Sequence, residues 1–114
     1  MSDCLFCKVV AGQIPASIVY QDDRLVAFND INPQAPLHVL IVPRRHVATL
    51  NELQAADDGL VGEMIRRAAA IAAERGHSDA GYRTVFNCNA DAGQSVWHIH
   101  LHLLAGRQMR WPPG

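Results

Sequence analysis

Residues 94–106 read QSVWHIHLHLLAG, and the alternation inside that run, His98-Ile99-His100-Leu101-His102-Leu103, decides how the rest of the chain is read. Successive side chains of an extended strand point to opposite faces. The three imidazoles therefore share one face at intervals of roughly 7 Å, while Ile99, Leu101 and Leu103 share the other. A helix would scatter them. The period of two predicts a strand over 97–104, apolar on one face and histidine-bearing on the other. Exposed strand faces ordinarily carry Thr, Lys and Glu, so an imidazole at every second position asks for a chemical reason. Metal binding and phosphate handling are the two that fit.

Upstream, SIVYQ (17–21) and LVAFN (25–29) are short β-rich runs separated by Asp22-Asp23-Arg24, a hairpin signature. DINPQAP (30–36) is loop by its prolines, and LHVLIVP (37–43), apolar almost throughout, reads as a central strand. Thr49 and Glu52 have capping-box spacing and predict the start of a helical stretch. From Asp57 to Arg75 the residues Leu60, Val61, Met64, Ala68, Ile71 and Ala72 recur at helical spacing, and Gly76 supplies the stop. YRTVFNC (82–88) is a fourth strand, and the polar loop NADAGQS leads into the histidine strand. Three strands, a long helix and two strands favour an antiparallel α+β domain over βαβ units. The expected fold is a single domain over 1–114 with a five-stranded antiparallel sheet, one long helix and a short N-terminal helix. Residues 105–114 form a tail, since GRQMRWPPG with its paired prolines cannot be a strand interior. One helix on one face leaves the other face or an edge open, which makes a homodimer plausible.

Ten Lys and Arg against eleven Asp and Glu give a formal charge of -1, which is no footprint for a nucleic-acid polymer. An anionic partner must be small and held locally. No apolar run approaches the roughly 20 residues of a membrane span, and MSDCLFCKVV lacks a signal-peptide layout, so a cytoplasmic protein is expected. In a reducing compartment Cys4-x-x-Cys7 reads as a metal or redox pair. Two thiolates at this spacing suit structural zinc, with His46 and one strand histidine as candidate partners. The alternative is that Cys4 and Cys7 are small buried residues flanking Leu5-Phe6. For phosphate, His100 and His102 stand beside a loop in which Asn87, Asp91, Gly93, Gln94 and Ser95 offer anion-binding donors. A largely neutral imidazole can attack without a separate strong base, and its neighbour can stabilise charge in the transition state. A cupin-type metal site would want a carboxylate downstream of the histidines, and LLAGRQMRWPPG has none.

HIHLHLL fits the H-φ-H-φ-H-φ-φ motif (φ apolar) of the histidine triad family of nucleotide hydrolases and transferases. The resemblance extends through LFCKVVAGQIPA, DDRLVAFNDINPQAPLHVLIVPRRH, GYRTVFN and the ending GRQMRWPPG, which looks like the branch that hydrolyses purine nucleoside 5'-phosphoramidates. The resemblance implies that His100 is the nucleophile at the α-phosphorus and that His102 bonds the phosphate. Ser95 and Gln94 would lie near the bridging atom, and His38 would stand near the triad as an orienting group. Asp30 would hold the ribose hydroxyls. Phe6, Val9, Ile14 and Ile31 would wall the base pocket, with Val96, Asn87 and Gly93 also against substrate. It further implies zinc on Cys4, Cys7, His46 and His98, no organic cofactor, and a homodimer that extends the sheet. The implied reaction releases AMP or GMP through a nucleotidyl-histidine. The alternatives are a dinucleoside polyphosphate hydrolase and a non-catalytic purine nucleotide sensor; redox work by Cys4 and Cys7 is more remote. Asn89 departs from the glycine that relatives often carry after Asn87, and asparagine tolerates the left-handed region better than most residues.

Overall fold

The computed structural model describes residues 3–114. A short helix α1 (Leu5–Val10) precedes strands β1 (Ile18–Gln21), β2 (Leu25–Asn29) and β3 (Leu37–Pro43). The long helix α2 (Asp58–Glu74) and strands β4 (Tyr82–Val85) and β5 (Leu101–Ala105) follow. The sheet runs in the order β1-β2-β3-β5-β4, antiparallel at every pairing, so the histidine strand lies between the central strand and an edge.

Alternation along the strands divides the interior in two. Leu25 and Ala27 of β2, Leu37, Val39 and Ile41 of β3, and Leu101, Leu103 and Ala105 of β5 face α2, meeting Leu60, Met64, Ala68, Ile71 and Ala72. That is the periodicity expected of the helix, except that Val61 is only partly buried. Val26, Phe28, Leu40 and Val42 occupy the opposite face and pack against Phe6 and Val9 of α1. The second face is therefore not left open: a six-residue helix covers part of it, and the histidines take the remainder.

α2 ends as expected at Gly76, whose φ of 80° places it in the left-handed region. Gly76 N–H donates to Ala73 O at 3.1 Å and His77 N–H to Ala72 O at 2.8 Å, which satisfies the last carbonyls. Its start differs. Thr49 Oγ1 accepts from Asn51 N–H at 3.2 Å and caps only a 3-10 turn over Leu50–Glu52. Asp57 is the residue that orders the entry to α2, accepting from Gln54 N–H at 2.9 Å and pairing with Arg45.

The last two strands are shorter than their sequence runs. β4 ends at Val85 instead of Cys88, and β5 begins at Leu101 instead of Trp97. The β3–β5 register pairs Ile41 with Leu101, so a continued ladder would set Pro43 opposite Ile99. Proline has no N–H to give there. Ile99 N–H turns instead to Val47 O at 2.7 Å.

Candidate active site and metal site

The predicted division of faces survives the early end of the strand. Ile99 joins the apolar core on the α2 side. The rings of His98 and His100 flank Phe6 on the other side, with centroid separations of 6.2 and 5.0 Å. His100 and His102 are 5.0 Å apart by centroid, and His38 from β3 adds a fourth imidazole 5.2 Å from His102.

Main-chain partners determine which nitrogen of each ring carries a proton. His98 Nε2 lies 2.7 Å from Pro43 O, and a carbonyl can only accept, so this nitrogen donates and Nδ1 keeps its lone pair. His100 Nδ1 likewise donates to His98 O at 2.8 Å, which leaves the lone pair on Nε2. In His38 the order is reversed: Nδ1 accepts from Gln34 N–H at 3.0 Å, so the neutral ring carries its proton on Nε2. That N–H donates to His102 Nδ1 at 2.9 Å, with Asp30 Oδ2 3.4 Å away. His102 is thereby set with its proton on Nε2. Burial favours the neutral form in all four. It lowers His38, His98 and His100, and brings His102 down to about 4, with His100 and His38 adding to the effect. His100 thus offers a lone pair and His102 a hydrogen-bond donor.

Both rings line a cavity of about 350 Å³. Of the residues predicted to contact substrate, Phe6, Val9, Ile14, Asp30, Ile31, Ser95, Val96, His100 and His102 line it. His38 supports from behind and is buried. Asn87, Gly93 and Gln94 are not among the lining residues. Gln94 is turned into its own loop: Oε1 accepts from Asn89 N–H at 2.8 Å, and Nε2 donates to Ala48 O and Val96 O at 2.8 and 3.0 Å. Gly93 takes φ 79°, and Asn89 takes φ 65° with ψ -169°. Asn89 has a positive φ, but its extended ψ lies outside the left-handed well that asparagine tolerates and is more demanding. Leu5, Phe28 and Leu40 also line the cavity and were not singled out from sequence. Phe28 and Leu40 were legible as the second face of the β2 and β3 runs, and Leu5 had no such signal.

Among the described residues, two groups of side chains have the proximity a metal ion requires. Cys4, Cys7, His46 and His98 converge with Cys4 Sγ to His98 Nδ1 at 3.4 Å, Cys7 Sγ to His46 Nδ1 at 3.3 Å and His46 Nδ1 to His98 Nδ1 at 3.2 Å. Asp30, His38 and His102 form the second group. There the Gln34 N–H on His38 Nδ1 argues against an ion, because it leaves the proton on the very nitrogen that would have to ligate.

Among the described residues, no helix is long and apolar enough to cross a membrane. The family model described as "Scavenger mRNA decapping enzyme C-term binding" matches residues 3–111. The chain is 46% identical over 107 residues to the purine nucleoside phosphoramidase of Escherichia coli (strain K12), covering 94% of this chain and 90% of that one. It is also 46% identical over 112 residues to an uncharacterized HIT-like protein of Synechococcus elongatus, with 98% and 97% covered. Among solved structures, the HIT family hydrolase of Legionella pneumophila Philadelphia 1 superposes with a TM-score of 0.97 at 53% identity, covering 98% of this chain and all of that one. A histidine triad protein of Clostridium difficile gives 0.93 at 42% identity, with 96% of each chain covered. Matched in sequence and in fold over nearly its whole length, the chain belongs to the histidine triad (HIT) family.

Proposed function

We propose that this HIT protein cleaves the bond at the α-phosphate of purine nucleoside 5'-phosphoramidates through a nucleotidylated His100, releasing AMP or GMP. The carrying observation is the His100 ring, whose Nδ1–H is committed to His98 O so that Nε2 keeps its lone pair beside a cavity. The phosphoramidase name of the Escherichia coli relative supports the substrate class.

In the first step His100 Nε2 forms a bond to phosphorus and the P–N bond breaks. The amine leaves with the bonding pair and takes one proton from solvent by way of the Ser95 hydroxyl. The Nε2–H of His102 donates to a phosphoryl oxygen as charge gathers there. In the second step water attacks phosphorus, the P–Nε2 bond breaks, the pair returns to His100, and one proton is released. Asp30, which lines the cavity with its Oδ1 held by Asn32 N–H at 2.8 Å, takes the ribose hydroxyls, and Phe6, Val9, Ile14 and Ile31 take the base.

Cys4, Cys7, His46 and His98 are proposed to hold zinc. A tetrahedral ion with Zn–S near 2.3 Å and Zn–N near 2.05 Å needs S···N and N···N separations of roughly 3.3–3.6 Å, close to those observed. His98 already presents the correct tautomer. Bound there, zinc supplies a structural cross-link with no open position for chemistry. A cytoplasmic setting, which keeps the cysteines reduced, and a homodimer built on the edge of the sheet complete the reading.

The test is AMP release from adenosine 5'-phosphoramidate by the purified protein with His100→Ala as control. Release that is abolished in the variant is expected, together with a mass increase of one nucleotidyl group on His100 in rapidly quenched protein. Near wild-type release by His100→Ala overturns the covalent route. A rate on dinucleoside polyphosphates far above that on the phosphoramidate moves the substrate class to the one suggested by the decapping description of the family model.

A further inference from the structure

Residues 30–36, between β2 and β3, lie in neither helix nor strand, and Ile31, Asn32, Pro33 and Gln34 are exposed. Yet the N–H of Gln34 fixes the tautomer of His38 and, through it, the proton on His102. A backbone donor in an open loop keeps its direction only if the peptides around it are anchored. Within the loop, Gln34 Nε2 donates to Asn32 O at 3.0 Å and Asn32 N–H to Asp30 Oδ1 at 2.8 Å. From the tail, Arg107 Nε donates to Gln34 O at 2.9 Å, and its Nη1 donates to Gln108 O at 3.2 Å. A close approach of two chain segments makes that contact possible. β5 ends at Ala105, Gly106 takes φ 98°, and a Cβ on Gly106 would stand 2.8 Å from Pro36 Cβ. Glycine lets the tail turn there and lie against the loop.

We infer that Arg107 is a positioning residue for the His38–His102 pair: by holding the Gln34 carbonyl it keeps the Gln34 N–H on His38 Nδ1, and so keeps His102 a hydrogen-bond donor. Arg107 and Gln34 are not among the residues lining the cavity, so the effect runs through His38 and not through contact with substrate. Gln34 N–H occupies the lone pair on His38 Nδ1, which leaves the His38 proton on Nε2 for His102. With Gln34 loosened, His38 can carry its proton on Nδ1 instead. Its Nε2 then accepts from His102 Nδ1–H, and His102 turns a lone pair toward the phosphoryl oxygen in place of a proton. Asp30 Oδ2, 3.4 Å from His38 Nε2, favours the working tautomer from the other end, so the loss is partial. The step that suffers is the one in which charge gathers on the phosphoryl oxygen. That consequence for rate rests on the phosphoramidate reading; the tautomer itself does not.

Arg107→Ala tests both. Long-range proton–nitrogen correlation spectra of protein labelled at histidine report which ring nitrogen of His38 and of His102 carries the proton. Wild type should show the proton on Nε2 in both rings, and Arg107→Ala a mixture of tautomers in both. The kcat for adenosine 5'-phosphoramidate should fall by about fivefold, the worth of one backbone hydrogen bond, with KM unchanged. Arg107→Lys should restore both readouts, because a lysine ammonium reaches the same carbonyl. Tautomers in Arg107→Ala identical to those of wild type overturn the inference whatever the rate does. A raised KM with unchanged tautomers also overturns it, and makes Arg107 a direct contact of the substrate anion. Failure of wild type to turn over the phosphoramidate overturns the proposed reaction, while the spectra still decide the role of Arg107.

Discussion

Asn89 is the residue at which the loop carrying Ser95 stores backbone strain, and its replacement by glycine should stabilise the protein. The residue sits at φ 65°, ψ -169°, a region occupied almost only by glycine. Holding a side chain there costs about 1–3 kcal/mol. Glycine removes that cost but enlarges the unfolded ensemble, which returns about 0.5–1 kcal/mol. The net gain for Asn89→Gly is then about 1 kcal/mol. For a chain of this length the entropy of unfolding makes that about 4 °C in Tm. Asn89→Ala keeps the Cβ and loses whatever tolerance asparagine has for positive φ, so it should fall by about 1 kcal/mol. What retains the conformation is Gln94, whose Oε1 accepts from Asn89 N–H and whose own N–H donates to Asn89 O at 3.1 Å. Both bonds use the Asn89 main chain and persist in either variant. Thermal denaturation followed by circular dichroism should therefore separate Gly from Ala by about 8 °C, taking the two effects together. Equal Tm values for the two variants would falsify the strain account.

Acid should weaken the fold before its carboxylates titrate. An unfolded histidine takes up a proton below about pH 6.5, whereas burial brings folded His102 to about 4. Between those values the unfolded chain binds more protons, so stability falls as pH drops through that window. Urea midpoints should decline from pH 7 to pH 4.5, and His102→Gln should flatten the decline; an unchanged slope in the variant contradicts the assignment. Below that range Asp57, lowered by Gln54 N–H and Arg45, adds a second loss that Asp57→Asn should remove from the acid limb. Phe6→Ala should cost about 3–4 kcal/mol in urea denaturation, because a buried ring that meets Phe28, His98 and His100 is deleted. On the zinc reading, a strong chelator should release one zinc per chain and lower Tm, and Cys7→Ser should make Tm insensitive to it.

What could be read in advance was what depends on residues near one another in sequence. The α2 face follows from Leu60, Met64, Ala68 and Ile71 at helical spacing, its end from Gly76, and the two faces of β5 from strict alternation. The apolar periodicity from Asp57 marks the start of α2, but Thr49-x-x-Glu52 and the Gln54 to Asp57 arrangement offer competing caps a few residues apart, and the first closes only a 3-10 turn. Only the burial of Asp57 against Arg45 decides between them. Gln94 illustrates the same limit within the site. A polar residue beside a phosphate loop reads as a ligand for substrate, but Ala48 O, distant in sequence, claims its amide. Gln34 was invisible for the opposite reason: it acts through its backbone N–H, and no side-chain pattern marks that.

The early end of β5 is what makes three similar imidazoles chemically different. Had the ladder run on, Pro43 O would have faced a main-chain N–H of Ile99, and His98 would have been one more rung. Because Ile99 N–H goes to Val47 O, Pro43 O is available to orient His98. Similarly, His98 O is available to orient His100. His102 lies within the ladder, opposite Leu40 of β3 and Val85 of β4, so it needs another histidine for the same purpose. His38 supplies that by way of Gln34 N–H, and the direction of its hydrogen bond is the reverse of the other two. The result is one lone pair facing the cysteines, one beside the cavity, and one proton set to donate. A run of alternating histidines carries none of that asymmetry; it is conferred where a proline in the neighbouring strand stops the pairing.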